Sequence, residues 1–145
     1  MTKNVLVSIV GMHYGVDDQS GEAEPLEVIT PATYYFKNNK HYVLYDGVVE
    51  GMVGTIKNTI KIAGDNFFEM SKSGITNSKM TFEKDRIYMT NYQTPFGEMV
   101  VGVHTKTLNV DVKEEDINVS IVYSLDVDNE PLSDCEIKVN IHALQ

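Results

Sequence analysis

The feature that most constrains this chain is a two-residue alternation of apolar and polar side chains near its C-terminal end. From Ile117 to Val127 the odd positions are apolar or tyrosine, and most even positions are polar, such as Asn118 and Ser120. Successive side chains of a β-strand point to opposite faces, so this pattern predicts a strand with one buried and one solvated face. Residues three and four apart form no apolar stripe, so the pattern does not predict a helix.

The same period recurs along the chain and predicts about ten short strands. We place them at residues 3–14, 25–36, 41–46, 53–62, 66–72, 78–83, 86–93, 98–112, 117–127 and 135–144. Turn-forming residues separate several of them, as at Asn38-Asn39, Gly64-Asp65 and Lys84-Asp85. The eighth strand changes its apolar phase near Thr107–Leu108, which predicts a β-bulge there.

A sheet of so many strands has to close on itself or fold over to protect its edges. The short connections favour up-and-down pairing of neighbours, and hence a closed barrel, over the alternative of a two-sheet sandwich. The fold class predicted for residues 1–145 is therefore an all-β, closed, antiparallel up-and-down barrel of roughly eight to ten strands in a single domain.

Charge and cysteine content narrow the partners and the compartment. The net charge is −9, and acids concentrate between Asp111 and Glu136, where Lys113 is the only basic residue. Phosphate backbones and anionic lipids would be repelled, so we expect neither a nucleic-acid nor a membrane partner. Cys135 is the single cysteine, which fits a reducing compartment, and its acidic neighbours disfavour a reactive thiolate. We expect a cytoplasmic protein.

Catalytic signatures are absent from the sequence. It contains no phosphate-binding loop, no paired-cysteine metal motif, and neither the His-Glu-x-x-His nor the Gly-x-Ser-x-Gly pattern. No cofactor and no metal site are therefore expected. An enzyme would have to use a histidine and an acid at the barrel mouth, for example His41 with Asp46. These two are five residues apart and project to opposite faces of an ideal strand.

Polar residues within the apolar phase are the candidate ligand-binding residues. A buried polar group costs about 1–3 kcal/mol unless it finds a partner, which is protein, water or ligand. Two interpretations remain open: satisfied core or strand-end groups, or a partly polar lumen that orients a small ligand. The residues selected by phase are Tyr34, Asn58, Lys72, Asn91, Thr105, Thr107 and Tyr123.

The segment from Thr94 to Gly97 has the composition of a β-turn, with proline at its second position. We interpret it as a hairpin connection, and a functional loop at the barrel mouth is the alternative.

Several stretches resemble one known family. They are YYFKNNKHYVLYDG, GTIKNTIKI, SKSGITNSKMTFEKD and YQTPFGEMVVGVHTKTL, in order from about Thr33 onwards. Together they resemble the YwiB-like family, a group of uncharacterised bacterial proteins with a lipocalin-like, calycin-type β-barrel. The resemblance implies such a barrel and a cytoplasmic location, and it implies no activity because fold alone does not fix function.

Three functional hypotheses follow. The first is a non-catalytic barrel that binds a small hydrophobic or amphipathic ligand in its lumen. The alternative is a protein-interaction module with a filled core, which docks a basic partner on exposed strand faces or on the acidic turns at 111–116 and 126–136. The third is the enzyme with a site at the barrel mouth. An open lumen would favour the first hypothesis, and a filled core would favour the second.

Overall fold

The computed structural model describes residues 2–15, 26–47, 55–74, 78–94, 97–128 and 130–144. These form ten strands: β1 (Thr2–Gly15), β2 (Leu26–Lys37), β3 (Lys40–Gly47), β4 (Ile56–Ala63), β5 (Phe67–Gly74), β6 (Ser78–Phe82), β7 (Ile87–Thr94), β8 (Gly97–Val112), β9 (Asp116–Val127) and β10 (Glu130–Ala143). In the described ranges, no helix is long and apolar enough to cross a membrane.

The strands form one antiparallel sheet in the order β6-β5-β4-β3-β2-β1-β10-β9-β8-β7. In the described residues this order gives nine strand pairs. Eight join strands that are neighbours in sequence, and the ninth joins the first strand, β1, to the last, β10. The sheet curls until β6 lies against β7 and β8, although β6 and β7 share no hydrogen-bonded ladder in the described residues. We call this unpaired boundary the seam. The predicted all-β up-and-down barrel is confirmed, and it is nearly closed.

Tight turns join the strands where the sequence predicts them. Asn38 and Asn39 both have positive φ, 54° and 62°, as a two-residue hairpin turn requires. The connection from β9 to β10 is shorter than predicted, because β10 begins at Glu130 rather than at 135. Asp128 takes a φ of 50° in the turn, and the strand register shifts between Pro131 and Ser133. A proline cannot donate to the ladder, so this irregularity lets β10 start before it.

The predicted β-bulge of β8 is confirmed at the register shift between Thr105 and Thr107. Thr105 is opposite Tyr123, whereas Thr107 is opposite Val122 and Leu108 is opposite Ile121. The extra residue therefore keeps both Thr105 and Leu108 on the inner face, where both are buried. Thr107 lies on the outer face.

The centre of the barrel is filled by side chains rather than open. The rings of Phe68 on β5, Phe82 on β6 and Tyr123 on β9 form a chain of contacts, with centroids 6.0 Å and 4.8 Å apart. Phe82 and Tyr123 meet edge to face, a favourable geometry for aromatic pairs. Phe82 and Tyr123 pack across the seam, where the described residues form no ladder between β6 and β7. Aliphatic side chains surround them, including Val7, Val43, Ile62 and Ile121.

One hydroxyl buried in this core, that of Thr105, lacks a hydrogen-bond partner within the described part of the chain. Thr105 is 4% exposed, and among the described residues its Oγ1 makes no hydrogen bond. We expect Thr105→Val to raise the free energy of unfolding by about 1 kcal/mol, because it replaces an unsatisfied polar atom by a methyl group. Urea unfolding measures this, with the exposed Thr107→Val as the matched control. A loss of stability in Thr105→Val would show that the hydroxyl is paired after all.

Candidate functional site

A pocket of about 190 Å³ opens on the inner face of the barrel, at the end where β3 finishes and β4 begins. We call it the end pocket. Its lining comes from four consecutive strands, β3 to β6, and consists of Tyr45, Asn58, Thr59, Ile60, Met70, Ser71, Lys72 and Met80.

Cross-strand register explains how these residues come together. Ile60 on β4 lies opposite Met70 on β5, and Met70 in turn lies opposite Met80 on β6. Asn58 lies on β4 two positions closer to the end of the barrel than Ile60. It pairs with Tyr45 on β3 and with Lys72 on β5. Since residues opposite each other on neighbouring strands share a face, the lining forms two parallel rows. We call the first the apolar row and the second the polar row.

The apolar row forms the floor of the pocket. Ile60 is almost fully buried, and Met70 and Met80 are partly buried and pack against the core. Methionine is flexible and polarisable, so two methionines give a floor that adapts to differently shaped apolar groups.

The polar row forms the rim. Asn58 is 8% exposed, and its Nδ2 donates to the carbonyl of Ile56 over 3.5 Å, a long and weak hydrogen bond. Burial raises the pKa of Tyr45, so its hydroxyl keeps its proton, and therefore its ability to donate, throughout the neutral range. Lys72 is exposed, and within the described part of the chain it makes no ion pair.

Two of the predicted ligand-binding residues, Asn58 and Lys72, therefore line one pocket. Tyr123 and Thr105 lie in the filled centre. Tyr34 lies at the opposite end of the barrel beside a small hollow of about 60 Å³. Its hydroxyl shares a hydrogen bond of 2.7 Å with His41 Nδ1. The structure thus separates the predicted set into three places along the barrel axis.

The side chains of Thr107 and of strand β7 do not face the way the alternation predicted. Thr107 is exposed on the outer face, because the bulge shifts the phase one residue earlier than the alternation suggested. On β7 the predicted inward phase is wrong, since Ile87 and Met89 are 58% and 56% exposed. The hairpin register with β8 places Tyr88 opposite the buried Val103, which turns the other phase inward.

Asn91 belongs to that same strand, β7, and lies opposite Val100 in the ladder. Its side chain is outside the described part of the chain, as are Pro95 and Phe96 of the predicted turn. The pairing of Thr94 with Gly97 confirms that a short hairpin connection joins β7 to β8.

Tyr45, Met70 and Met80 were not predicted as site residues. The two-residue period places both methionines on the inner phase with Phe68 and Phe82, but it does not distinguish a pocket lining from ordinary core. The missing signal was register: only the pairing of β4 with β5 and of β5 with β6 shows that Met70 and Met80 share a row with Ile60.

The pair proposed for an enzyme does not assemble. His41 faces inward and contacts Tyr34, whereas Asp46 is exposed and lies opposite Lys57 on β4. In the described residues, no group of three or more His, Cys, Asp or Glu side chains could hold a metal ion.

His41 should make stability depend on pH. Burial lowers its pKa from the ordinary value of 6.5, so the unfolded chain binds a proton at this ring more readily than the folded chain. The contribution of neutral His41 to the free energy of unfolding is therefore fully present above pH 6.5, and it is lost as the pH falls below that value. We expect acidification to destabilise the native protein more than the His41→Phe variant.

Urea unfolding at a series of pH values checks this, and His142→Phe, at an exposed position, is the matched control. Parallel pH profiles for the native protein and His41→Phe would contradict the expectation.

This geometry defines a class of protein, a small ten-stranded antiparallel β-barrel with a filled centre and a pocket at one end. Residues 10–139 match the model of a family described as a domain of unknown function, DUF1934, and the chain belongs to that family. The chain is 30% identical over 115 residues to the uncharacterized beta-barrel protein YwiB of Bacillus subtilis (strain 168). The aligned region covers 79% of each chain.

A solved structure shows the same fold. The crystal structure of the ywiB protein from Bacillus subtilis superimposes with a TM-score of 0.78 over 99% of this chain and 94% of that one, at 22% sequence identity. The resemblance found in the sequence is thus confirmed for the family and for the barrel.

Proposed function

We propose that this protein is a non-catalytic binding protein that takes a small, partly apolar ligand in the end pocket. The observation that carries the proposal is the pairing of an apolar row with a polar row on the inner face of the barrel. Ligand sites typically combine an apolar lining with a few polar groups that fix orientation. A cytoplasmic location, expected from the single cysteine, is part of the same proposal.

The size of the pocket limits the ligand. Its volume is about 190 Å³. An engineered apolar cavity of about 150 Å³ is enough to hold benzene. Drug-sized ligands occupy roughly 300–1,000 Å³, so the end pocket suits a compact molecule somewhat larger than one aromatic ring. The filled centre of the barrel, closed by Phe68 and Phe82, leaves no room for a long chain to extend inward.

Methyl NMR of the methionines tests this proposal. With ¹³C-methyl-labelled methionine, we expect benzoate, benzyl alcohol or benzylamine to shift the signals of Met70 and Met80. Met89 is exposed on the outer face of β7 and lines a different pocket, so its signal reports whether a probe binds there rather than in the end pocket. Met80→Trp should fill the pocket and abolish the shifts, whereas Met89→Trp should preserve them. If none of the three probes moves Met70 or Met80, or if Met89 moves equally, the proposal is overturned.

A protein-interaction module remains the second candidate, and the filled centre of the barrel favours it. Salt bridges partly balance the acidic segments, since Asp111 contacts Lys113 at 3.8 Å and Asp134 contacts Lys106 at 3.4 Å. Glu114 and Glu115 are exposed and available to a basic partner. Loss of a captured basic protein after charge reversal of these two glutamates would support this candidate, and unchanged capture would count against it.

A further inference from the structure

The polar side chains around the end pocket can all donate hydrogen bonds. The inner-face side chains of the lining supply the ammonium of Lys72, the hydroxyl of Tyr45 and the amide of Asn58. Among the described residues, no carboxylate lines it. The chain as a whole has 21 acidic and 12 basic residues, so a lining with a cation and no acid differs from the average of this protein.

The donors of the polar row also have unused capacity. Within the described ranges, the Tyr45 hydroxyl and the Lys72 ammonium make no hydrogen bond or ion pair, and Asn58 makes one bond at the limit of 3.5 Å. Burial keeps Tyr45 protonated, which preserves it as a donor. A bound acceptor would take the place of water at these donors and would add hydrogen bonds to them.

From this arrangement we infer that the ligand of the end pocket is a small monoanion, a carboxylate with a compact apolar tail. This inference rests on the proposed function. Side chains opposite each other on adjacent strands are about 4.5–5.5 Å apart at Cβ, close enough for two of them to share one carboxylate. Lys72 pairs with the charge, Tyr45 and Asn58 donate to the oxygens, and the tail packs on Ile60, Met70 and Met80.

The charge and shape of the pocket favour a monocarboxylate over a phosphate. Lys72 is the one cation in the described lining, so a dianion would remain partly unpaired next to an apolar floor, which is costly. The floor also needs an apolar group to cover it, and inorganic phosphate has none. A carboxylate that takes a charge-assisted hydrogen bond from lysine satisfies both requirements.

Benzoate, benzyl alcohol and benzylamine have the same ring but differ in charge. Comparing their affinities therefore tests the anion inference separately from the proposed function. We expect benzoate to bind more tightly than benzyl alcohol or benzylamine, as followed at the Met70 and Met80 methyl signals. Lys72→Met should weaken benzoate by at least about tenfold, since a hydrogen-bonded charge pair is lost, and should weaken benzyl alcohol much less, since it carries no charge. Lys72→Arg should retain most of the affinity. Lys57→Met, on the opposite face of β4, is the matched control.

The outcomes are distinct. If benzyl alcohol or benzylamine binds at Met70 and Met80 as tightly as benzoate, the proposed function holds and the anion inference is overturned. The inference also fails if Lys72→Met binds benzoate as the native protein does. If no probe reaches the pocket, both fail together.

Discussion

Phe82→Ala is expected to lower the free energy of unfolding by about 3–5 kcal/mol, the largest effect of any single change considered for this protein. Phe82 has 0% exposure, and it contacts Phe68 on the neighbouring strand and Tyr123 across the seam. Strand β6 has only five residues and, in the part of the chain that is described, no ladder with β7, so the Phe82 ring contributes to holding it against the far side of the barrel. Alanine would leave a cavity and open the seam.

Urea unfolding followed by circular dichroism measures the loss, and Phe82→Leu should lie between the native protein and Phe82→Ala. Phe36→Ala is the matched control, because Phe36 is 46% exposed and should cost less than about 1.5 kcal/mol. A Phe82→Ala variant as stable as Phe36→Ala would show that the seam does not depend on this aromatic cluster.

Gly74→Ala is expected to cost about 2–4 kcal/mol, because strain and a steric clash add at one position. Gly74 has a φ of 124°, in a region that residues with a Cβ rarely adopt. A Cβ at this position would lie 2.5 Å from the carbonyl oxygen of Thr55, a backbone atom that cannot move aside easily. Gly74 also ends β5 two residues after Lys72, so a shift there disturbs the rim of the end pocket.

Gly97→Ala is the matched control for this variant. Gly97 has the same φ of 124°, but none of the described residues has an atom within 4 Å of its Cβ position. The difference between the two variants isolates the clash, and we expect Gly74→Ala to be the less stable by at least about 1 kcal/mol. Equal losses would mean that the backbone near Thr55 relaxes freely.

The sequence predicted the architecture well because one physical signal, the two-residue period, recurs in nearly every strand. In β4 the inner positions Ile56, Asn58, Ile60 and Ile62 are all buried, as the alternation required. The Asn-Asn pair predicted the tight turn at 38–39. The phase change on β8 predicted the bulge near Thr107. These features are local, so a single sequence contains them.

Features that depend on pairing could not be predicted in this way. Strand β7 has apolar side chains in both phases, and only its ladder with β8 decides that Tyr88 faces inward while Ile87 and Met89 do not. The end pocket is a second example. Phase placed Asn58 and Lys72 on the inner face, but their position beside Tyr45 depends on the register of three strands. The alternation also does not tell how far along the barrel axis an inward side chain lies. Tyr34 at the opposite end and Tyr123 in the centre therefore had the same phase signal as the residues of the end pocket.

The central claim is that one compact pocket lies at the end of a barrel with a filled centre, and a series of straight-chain carboxylates tests it most directly. Titration of Met70 and Met80 methyl signals would give affinities for chains of about four to about twelve carbons. We predict that affinity rises by about 0.8 kcal/mol per methylene while the chain fits, and that it stops rising near the volume limit of the pocket. A steady rise through the longest chains would contradict the account, because it would require an open lumen past Phe68 and Phe82.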